Sequence, residues 1–255
     1  MISVIVCSRQ APEWDFHQRN VQKTVGCDNE YIRIDNRKGE MGICAAYNMG
    51  VQKAAGEILV FVHEDVFFME EGWGKNLESK FLQDSSTGLI GVAGTQYLFK
   101  DDLRWHIAGQ PFLKGRVIHQ LDRGERFILV VFSWDKNDSE VVAVDGLFFA
   151  IRKELFSRAS FDEKTFRGFH FYDLDICMQV RKTHKCIVTW DIMLQHFSAG
   201  KNDPAWHEAA KLFAQKYEKE LPASCVSSVP DPSPDKRQSA SNYDLKGKVQ
   251  QNVIV

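Results

Sequence analysis

Apolar positions recur along the chain in two rhythms. Ile2 to Val6 is a short β-branched run that stops at Cys7-Ser8-Arg9, and Tyr31-Ile32-Arg33-Ile34 is a second run that closes in Asp35-Asn36. Both read as strands with polar tips. From Gly42 to Ala55 the rhythm changes. Ile43, Tyr47, Val51 and Ala54 recur at helical spacing, and Gly56 stands where a helix stops. Ile58-Leu59-Val60-Phe61-Val62 follows, apolar on both faces, and runs straight into His63-Glu64-Asp65. Strand, helix and strand in this order predict parallel pairing with right-handed crossovers, and open sheets of this kind bind ligands outside the carboxyl ends of their strands. The polar tips are therefore expected to meet at one crevice.

Further along, the pattern predicts a helix over Trp73 to Leu82, a strand over Leu89 to Ala93, and a long strand over Val141 to Ile151 interrupted by Asp145-Gly146. Residues 95–140 read as irregular. They carry Tyr97, Trp105, His106, Phe112, His119, Phe127 and Trp134, which suits either a satellite cluster beneath a long loop or a substrate-binding loop. A helix over Phe171 to Lys182, a strand over Cys186 to Trp190 and the segment Gln195-His196-Phe197-Ser198 come next. An amphipathic helix from Pro204 to Glu220 closes the fold, with proline suited to a first turn. The expectation is one α/β domain over residues 1–220, with a mostly parallel central sheet flanked by helices, followed by a mobile Pro- and Ser-rich tail over residues 221–255.

Composition narrows the function classes. Apolar residues make up 44% of the 255 residues and charged residues 26%, a globular mixture, and the formal charge of −2 supplies no basic field for nucleic acid. No apolar stretch reaches the roughly 20 residues of an integral membrane span. The opening Met1-Ile2-Ser3 lacks the features of a secretory signal, so a cytoplasmic location is expected, with peripheral association at a membrane left open. The six cysteines are scattered without C-x-x-C pairs and read as reduced core thiols.

His63-Glu64-Asp65 carries the most chemistry. Two carboxylates and an imidazole at the end of a buried strand suit a hard divalent ion, Mn²⁺ or Mg²⁺, which completes its shell with phosphate oxygens and water; solvated acids at a strand end are the plain alternative. Strand alternation sends His63 and Asp65 to one side and Glu64 to the other, which favours Asp65 as the direct ligand. His196 follows the last strand, where a parallel sheet would return it to the crevice as a further ligand or leave it as a structural histidine. Asp173 and Asp175 begin a helix, and only one of the two can address a small site, because positions two apart diverge by about 200°. Either could be a catalytic base or simply complement the helix N-terminus; His170 is an alternative base. The chain has no G-x-x-x-x-G-K-[ST], G-x-G-x-x-G or G-x-S-x-G pattern, which argues against a P-loop ATPase, a dinucleotide-binding dehydrogenase and an α/β-hydrolase.

These pieces together resemble nucleotide-diphospho-sugar transferases of the GT-A fold, and more closely the family 2 glycosyltransferase-like proteins. The resemblance spans residues 2 to about 215 and rests on Ile2-Ser3-Val4-Ile5-Val6-Cys7-Ser8-Arg9, Ala46-Tyr47-Asn48-Met49-Gly50 leading to Ala55-Gly56-Glu57, His63-Glu64-Asp65, and Phe171-Tyr172-Asp173-Leu174-Asp175. It implies a Rossmann-like single domain and a sugar transferred from a UDP- or GDP-linked donor to a hydroxyl of a saccharide, lipid-linked or protein acceptor. Cys7, Ser8, Arg9, Asp35, Asn48, His63 and Glu64 would lie at the donor nucleotide, with Asn36 a weaker candidate. Asp65 and His196 would hold the metal, and Asp173 would be the inverting base. Trp105, Asp145, Gly146 and His170 would line the sugar or acceptor pocket. Two positions depart from the family pattern: His63 replaces the first acid of Asp-x-Asp, and Tyr172 replaces the glutamate before the base. Two alternatives remain: a non-catalytic nucleotide-sugar-binding module of the same fold, and a sugar-phosphate nucleotidyltransferase.

Overall fold

The computed structural model describes residues 1–10, 14–120, 127–134, 136–197 and 203–231. In chain order its elements begin with β1 (Ile2–Ser8), α1 (Trp14–Thr24), β2 (Asn29–Asp35), α2 (Ile43–Lys53), β3 (Ile58–Val62), β4 (Val66–Phe68) and α3 (Trp73–Gln83). Six strands follow, β5 (Thr87–Gly91), β6 (Ala93–Thr95), β7 (Tyr97–Leu98), β8 (Leu113–Gln120), β9 (Phe127–Val131) and β10 (Ser139–Val141). The chain then forms β11 (Ala143–Val144), β12 (Phe148–Arg152), α4 (Tyr172–Val180), β13 (Lys185–Val188), β14 (Leu194–His196), α5 (Pro204–Lys216) and β15 (Ala223–Ser224).

The central sheet has the order β10-β13-β5-β12-β3-β1-β2. Only β10 and β12 run against the other five strands, so the sheet is mixed but predominantly of one direction. β3 sits inside it and is buried along its whole length. Its alternation divides the interior: Leu59 and Phe61 face one core layer with Tyr47 and Phe149, while Ile58, Val60 and Val62 face the other with Trp73 and Leu77. Phe61 stacks on Phe149 with ring centroids 5.3 Å apart, which locks the strand against its antiparallel neighbour.

A second sheet, β11-β6-β8-β14-β4 with β9 on β8, was not legible as such in the chain. It corrects three expectations. Residues 95–140 are not irregular: Leu113, Gly115 and Val117 alternate as buried positions on β8, which pairs with β6, β9 and β14. Leu89 to Ala93 is two strands, because the chain leaves the central sheet after Gly91 and joins the second one at Ala93. Val141 to Ile151 likewise breaks, since Asp145 Oδ1 accepts the N–H of Leu147 at 3.0 Å and folds the backbone away from a strand. Helix α1 gave no apolar signal because its buried stripe is His17, Val21 and Thr24, spaced correctly for a helix but mostly polar. The C-terminal boundary also moves. Leu221 and Ala223 are buried and β15 pairs with β7, so the folded chain passes residue 220; positions 232–255 of the expected tail lie outside the described residues, as does Ser198.

Candidate active site

The tips of β1 and β3, the loop after β2, the turn after β11, the start of α4 and the end of β14 enclose one cavity of about 1080 Å³. That volume is at the upper end of the range for small-molecule sites. Cys7, Arg9, His63, Glu64, Asp65, Trp105, Asp145, Gly146, His170, Asp173 and His196 all border it. Eleven of the expected site residues thus line one cavity, although they come from distant parts of the chain.

At the β3 tip the alternation works as anticipated. Glu64 turns toward β1, where it accepts from Ser8 Oγ at 2.7 Å and from the Arg9 N–H at 3.0 Å. It ties two strand ends together, and both of its oxygens are engaged. His63 and Asp65 turn the other way and meet His196, the three offering ligand atoms within 4.8 Å of one another. His196 reaches them by a route other than the central sheet. It sits on β14, which pairs antiparallel with β4 so that His196 lies opposite Val66, and the Phe197 N–H donates to the Asp65 carbonyl at 3.0 Å. Its Nε2 is 3.5 Å from Asp65 Oδ1. One carboxylate and two imidazoles form a donor set that suits a divalent first-row cation with positions left for ligand oxygens. Burial pushes the His63 imidazole down to about 4, with the neighbouring His196 acting in the same direction, which keeps the ring neutral as a ligand must be.

The start of α4 answers the choice between the two aspartates. Asp173 borders the cavity; burial, reinforced by the charge of Asp145, pushes its carboxyl up to about 7. Asp175 points into the protein, 1% exposed, and accepts from Tyr217 Oη at 2.7 Å, Gln179 Nε2 at 2.7 Å and Lys216 Nζ at 2.6 Å. It is a structural clamp on α5. His170 is tied by Nε2 to Asp203 Oδ1 at 3.2 Å, and Asp203 also caps α5 through the Trp206 N–H. The loop before α4 is held to α2: the Ile43 N–H donates to the Gly168 carbonyl, and a Cβ on Gly42 would come within 2.2 Å of the Arg167 carbonyl oxygen. Phe171, at φ 66, carries a left-handed conformation rarely used by bulky residues, and its ring is buried against Trp206 and Phe213.

Three expected donor residues do not reach the cavity wall. Asn48 instead bridges α2 to the segment before α4, donating to the Phe161 carbonyl at 2.9 Å and accepting from the Phe161 N–H at 3.1 Å. Ser8 is buried and committed to Glu64. Asp35 is exposed and paired with Arg37 at 2.5 Å. Its neighbour Asn36 takes a larger part: its amide spans Met41 in both directions, at 2.8 and 3.1 Å, and shapes the loop that borders the cavity. Arg104, Phe132, Arg167, Phe169 and Trp206 also border it and were not singled out in the chain, and His119, named there only among the rings of residues 95–140, borders it too. Nothing local marks His119, because only the β8–β14 register sets it opposite His196. The Arg167-Gly168-Phe169-His170 run, with a large aromatic beside a glycine, was the available signal for Arg167 and Phe169.

A sheet of this order with a metal-suited cluster at its strand ends defines an α/β protein with a candidate ligand site outside the ends of its strands. The sequence matches a family described as glycosyltransferase-like over residues 3–225, and the chain belongs to that family. A curated relative, the product of open reading frame 6 of the ATP synthase subunits region of Fuscovulum blasticum, is 24% identical over 206 residues, covering 78% of this chain and 76% of the relative. Among solved structures, GalNAc-T7 with UDP, GalNAc and Mn²⁺ superposes with a TM-score of 0.57 at 13% identity over 86% of this chain and 48% of that one. TarS of S. aureus gives 0.54 at 14% identity, with 97% of this chain and 43% of that one covered. The mannosyltransferase PcManGT of Pyrobaculum calidifontis, in complex with GDP-Man and Mn²⁺, gives 0.52 at 14% identity, with 99% and 76% covered. The chain thus spans less than half the length of GalNAc-T7 and TarS. The fold is GT-A. Among the described residues no helix is long and apolar enough to cross a membrane.

Proposed function

We propose that this protein transfers a sugar, with inversion, from a UDP- or GDP-linked donor to a hydroxyl of a saccharide, lipid-linked or protein acceptor in the cytoplasm, with residues 1 to about 231 as the transferase domain. The observation that carries this reading is a carboxyl with its pKa raised to about 7, Asp173, in the lining of the same cavity as the His63, Asp65 and His196 cluster. A base that takes a proton from an attacking hydroxyl works best with its pKa near the working pH. Asp173 would accept that proton, and the acceptor oxygen would bond to the anomeric carbon as the nucleoside diphosphate leaves. Asp65 and His196, with His63 beside them, would hold a divalent ion, which when bound supplies positive charge to the leaving group. Arg9 and the β1 tip would face the nucleotide, and Trp105 offers an aromatic face to a sugar ring. The two-imidazole donor set favours Mn²⁺ over Mg²⁺.

Calorimetric titration of UDP and then GDP, with Mn²⁺, with Mg²⁺ and without metal, tests the donor site. Mn²⁺-dependent binding that disappears in Asp65→Ala is the expected result; absence of binding by either nucleotide under every metal condition overturns the assignment. The His63 and Tyr172 departures favour a second reading, a module that binds a nucleotide-sugar without turning it over. Metal-dependent nucleotide binding without transfer to any acceptor in a screen would select it.

A further inference from the structure

We propose that Tyr172 is a positioning residue that sets the tautomer of His63, so that Nδ1 is the atom presented to a divalent ion. This rests on the metal reading of His63, Asp65 and His196. His63 Nε2 lies 2.6 Å from Tyr172 Oη, and Tyr172 Oη lies 2.9 Å from the Gly146 carbonyl oxygen. A carbonyl oxygen only accepts and a phenol has one proton to give. The Tyr172 proton therefore goes to Gly146, and the phenolic oxygen must accept from His63. The Nε2 of His63 then carries the ring proton, and the lone pair is left on Nδ1. Reversing the Tyr172 proton would set its oxygen lone pairs against those of the carbonyl at 2.9 Å, inside a buried site where nothing compensates.

The same residue borders Asp173: the Gly146 backbone acts on its carboxyl against the upward push of burial. There is no room for a side chain between the two partners: a Cβ on Gly146 would lie 2.2 Å from Tyr172 Oη and 2.9 Å from Asp173 Oδ2. Gly146 thus orients an imidazole through its carbonyl and the Tyr172 hydroxyl, and lies against the Asp173 carboxyl with no side chain between. Tyr172 and Asp173, adjacent on α4, each take one side of it. A tyrosine in place of an acid before the base also lets the imidazole be oriented by a neutral acceptor, which leaves Asp65 as the one carboxylate of the cluster.

The test reads the tautomer directly and without metal. Long-range ¹⁵N–¹H spectra of histidine-labelled protein, with His63 assigned by its disappearance in His63→Gln, are expected to show a single Nε2–H tautomer. In Tyr172→Phe that single signature is lost and Mn²⁺ affinity, measured by electron paramagnetic resonance, falls roughly 10–100-fold. A proton on Nδ1 in the unaltered protein overturns the proposal, as does a Tyr172→Phe variant with unchanged tautomer and unchanged Mn²⁺ affinity. If Tyr172→Phe does not fold, the tautomer of the unaltered protein alone decides. A protein that shows the Nε2–H tautomer and its dependence on Tyr172 but binds no Mn²⁺ keeps the relay and rejects the metal reading.

Discussion

Asp173 and Asp175 stand two residues apart on one helix and live in opposite environments. Asp173 faces a cavity, has the Asp145 charge nearby and accepts from the Leu174 N–H at 2.9 Å, and its pKa is raised to about 7. Asp175 faces the end of α5, where Lys216 and Tyr217 surround it with Gln179. The helix supplies both orientations through its geometry alone, so the cost of a poorly solvated carboxyl on one face stands beside a fully satisfied one on the other. The residue with unmet need is the one that faces the cavity, and the one whose need is met holds α4 to α5.

The sharpest way to break that contrast is Asp173→Asn, which removes the ionisable carboxyl and keeps the shape. Turnover is expected to fall about 10²–10⁴-fold with nucleotide affinity little changed, read by steady-state kinetics beside calorimetry. In the unaltered protein turnover should rise with pH through about 7 as Asp173 loses its proton. Lys216→Met attacks the other face. It removes the cation from a buried carboxylate that keeps Tyr217 and Gln179, and should cost roughly 1–3 kcal/mol in denaturant unfolding without altering the pH profile of turnover.

Asp173 also predicts a pH-dependent stability. Its folded carboxyl is raised from 3.8 to about 7, so the folded state holds that proton more tightly than the unfolded chain. This group's contribution to stability is therefore present below about pH 4 and is lost as pH rises toward 7. Asp173→Asn should stabilise the protein by about 1–3 kcal/mol at pH 8 and by nothing measurable at pH 4, as followed by thermal unfolding at both values. The smallest effect belongs to Asn48→Ala, which loses the bridge to Phe161 and should cost about 1–2 kcal/mol with nucleotide binding unchanged. Weakened nucleotide binding there would return Asn48 to the donor site.

The amino-acid sequence by itself determined the strand-helix-strand opening, the crevice at the tips of β1 and β3, and the alternation that parts Glu64 from His63 and Asp65. Each of these follows from short-range period: two for strands, 3.6 for helices, and polar residues where an apolar run ends. Residue spacing brought Asp173 and Asp175 forward as a pair, and only the family resemblance favoured Asp173. Tertiary structure decided the rest. Which aspartate meets the cavity depends on Lys216 and Tyr217, some forty residues on. The arrival of His196 beside Asp65 depends on the pairing of β14 with β4 in the second sheet, a register that leaves no mark on local spacing. Ser8, Asp35 and Asn48 had the chemistry of ligands, and their partners Glu64, Arg37 and Phe161 claimed them instead. A polar side chain shows its capacity in the sequence, while packing chooses which neighbour fills it.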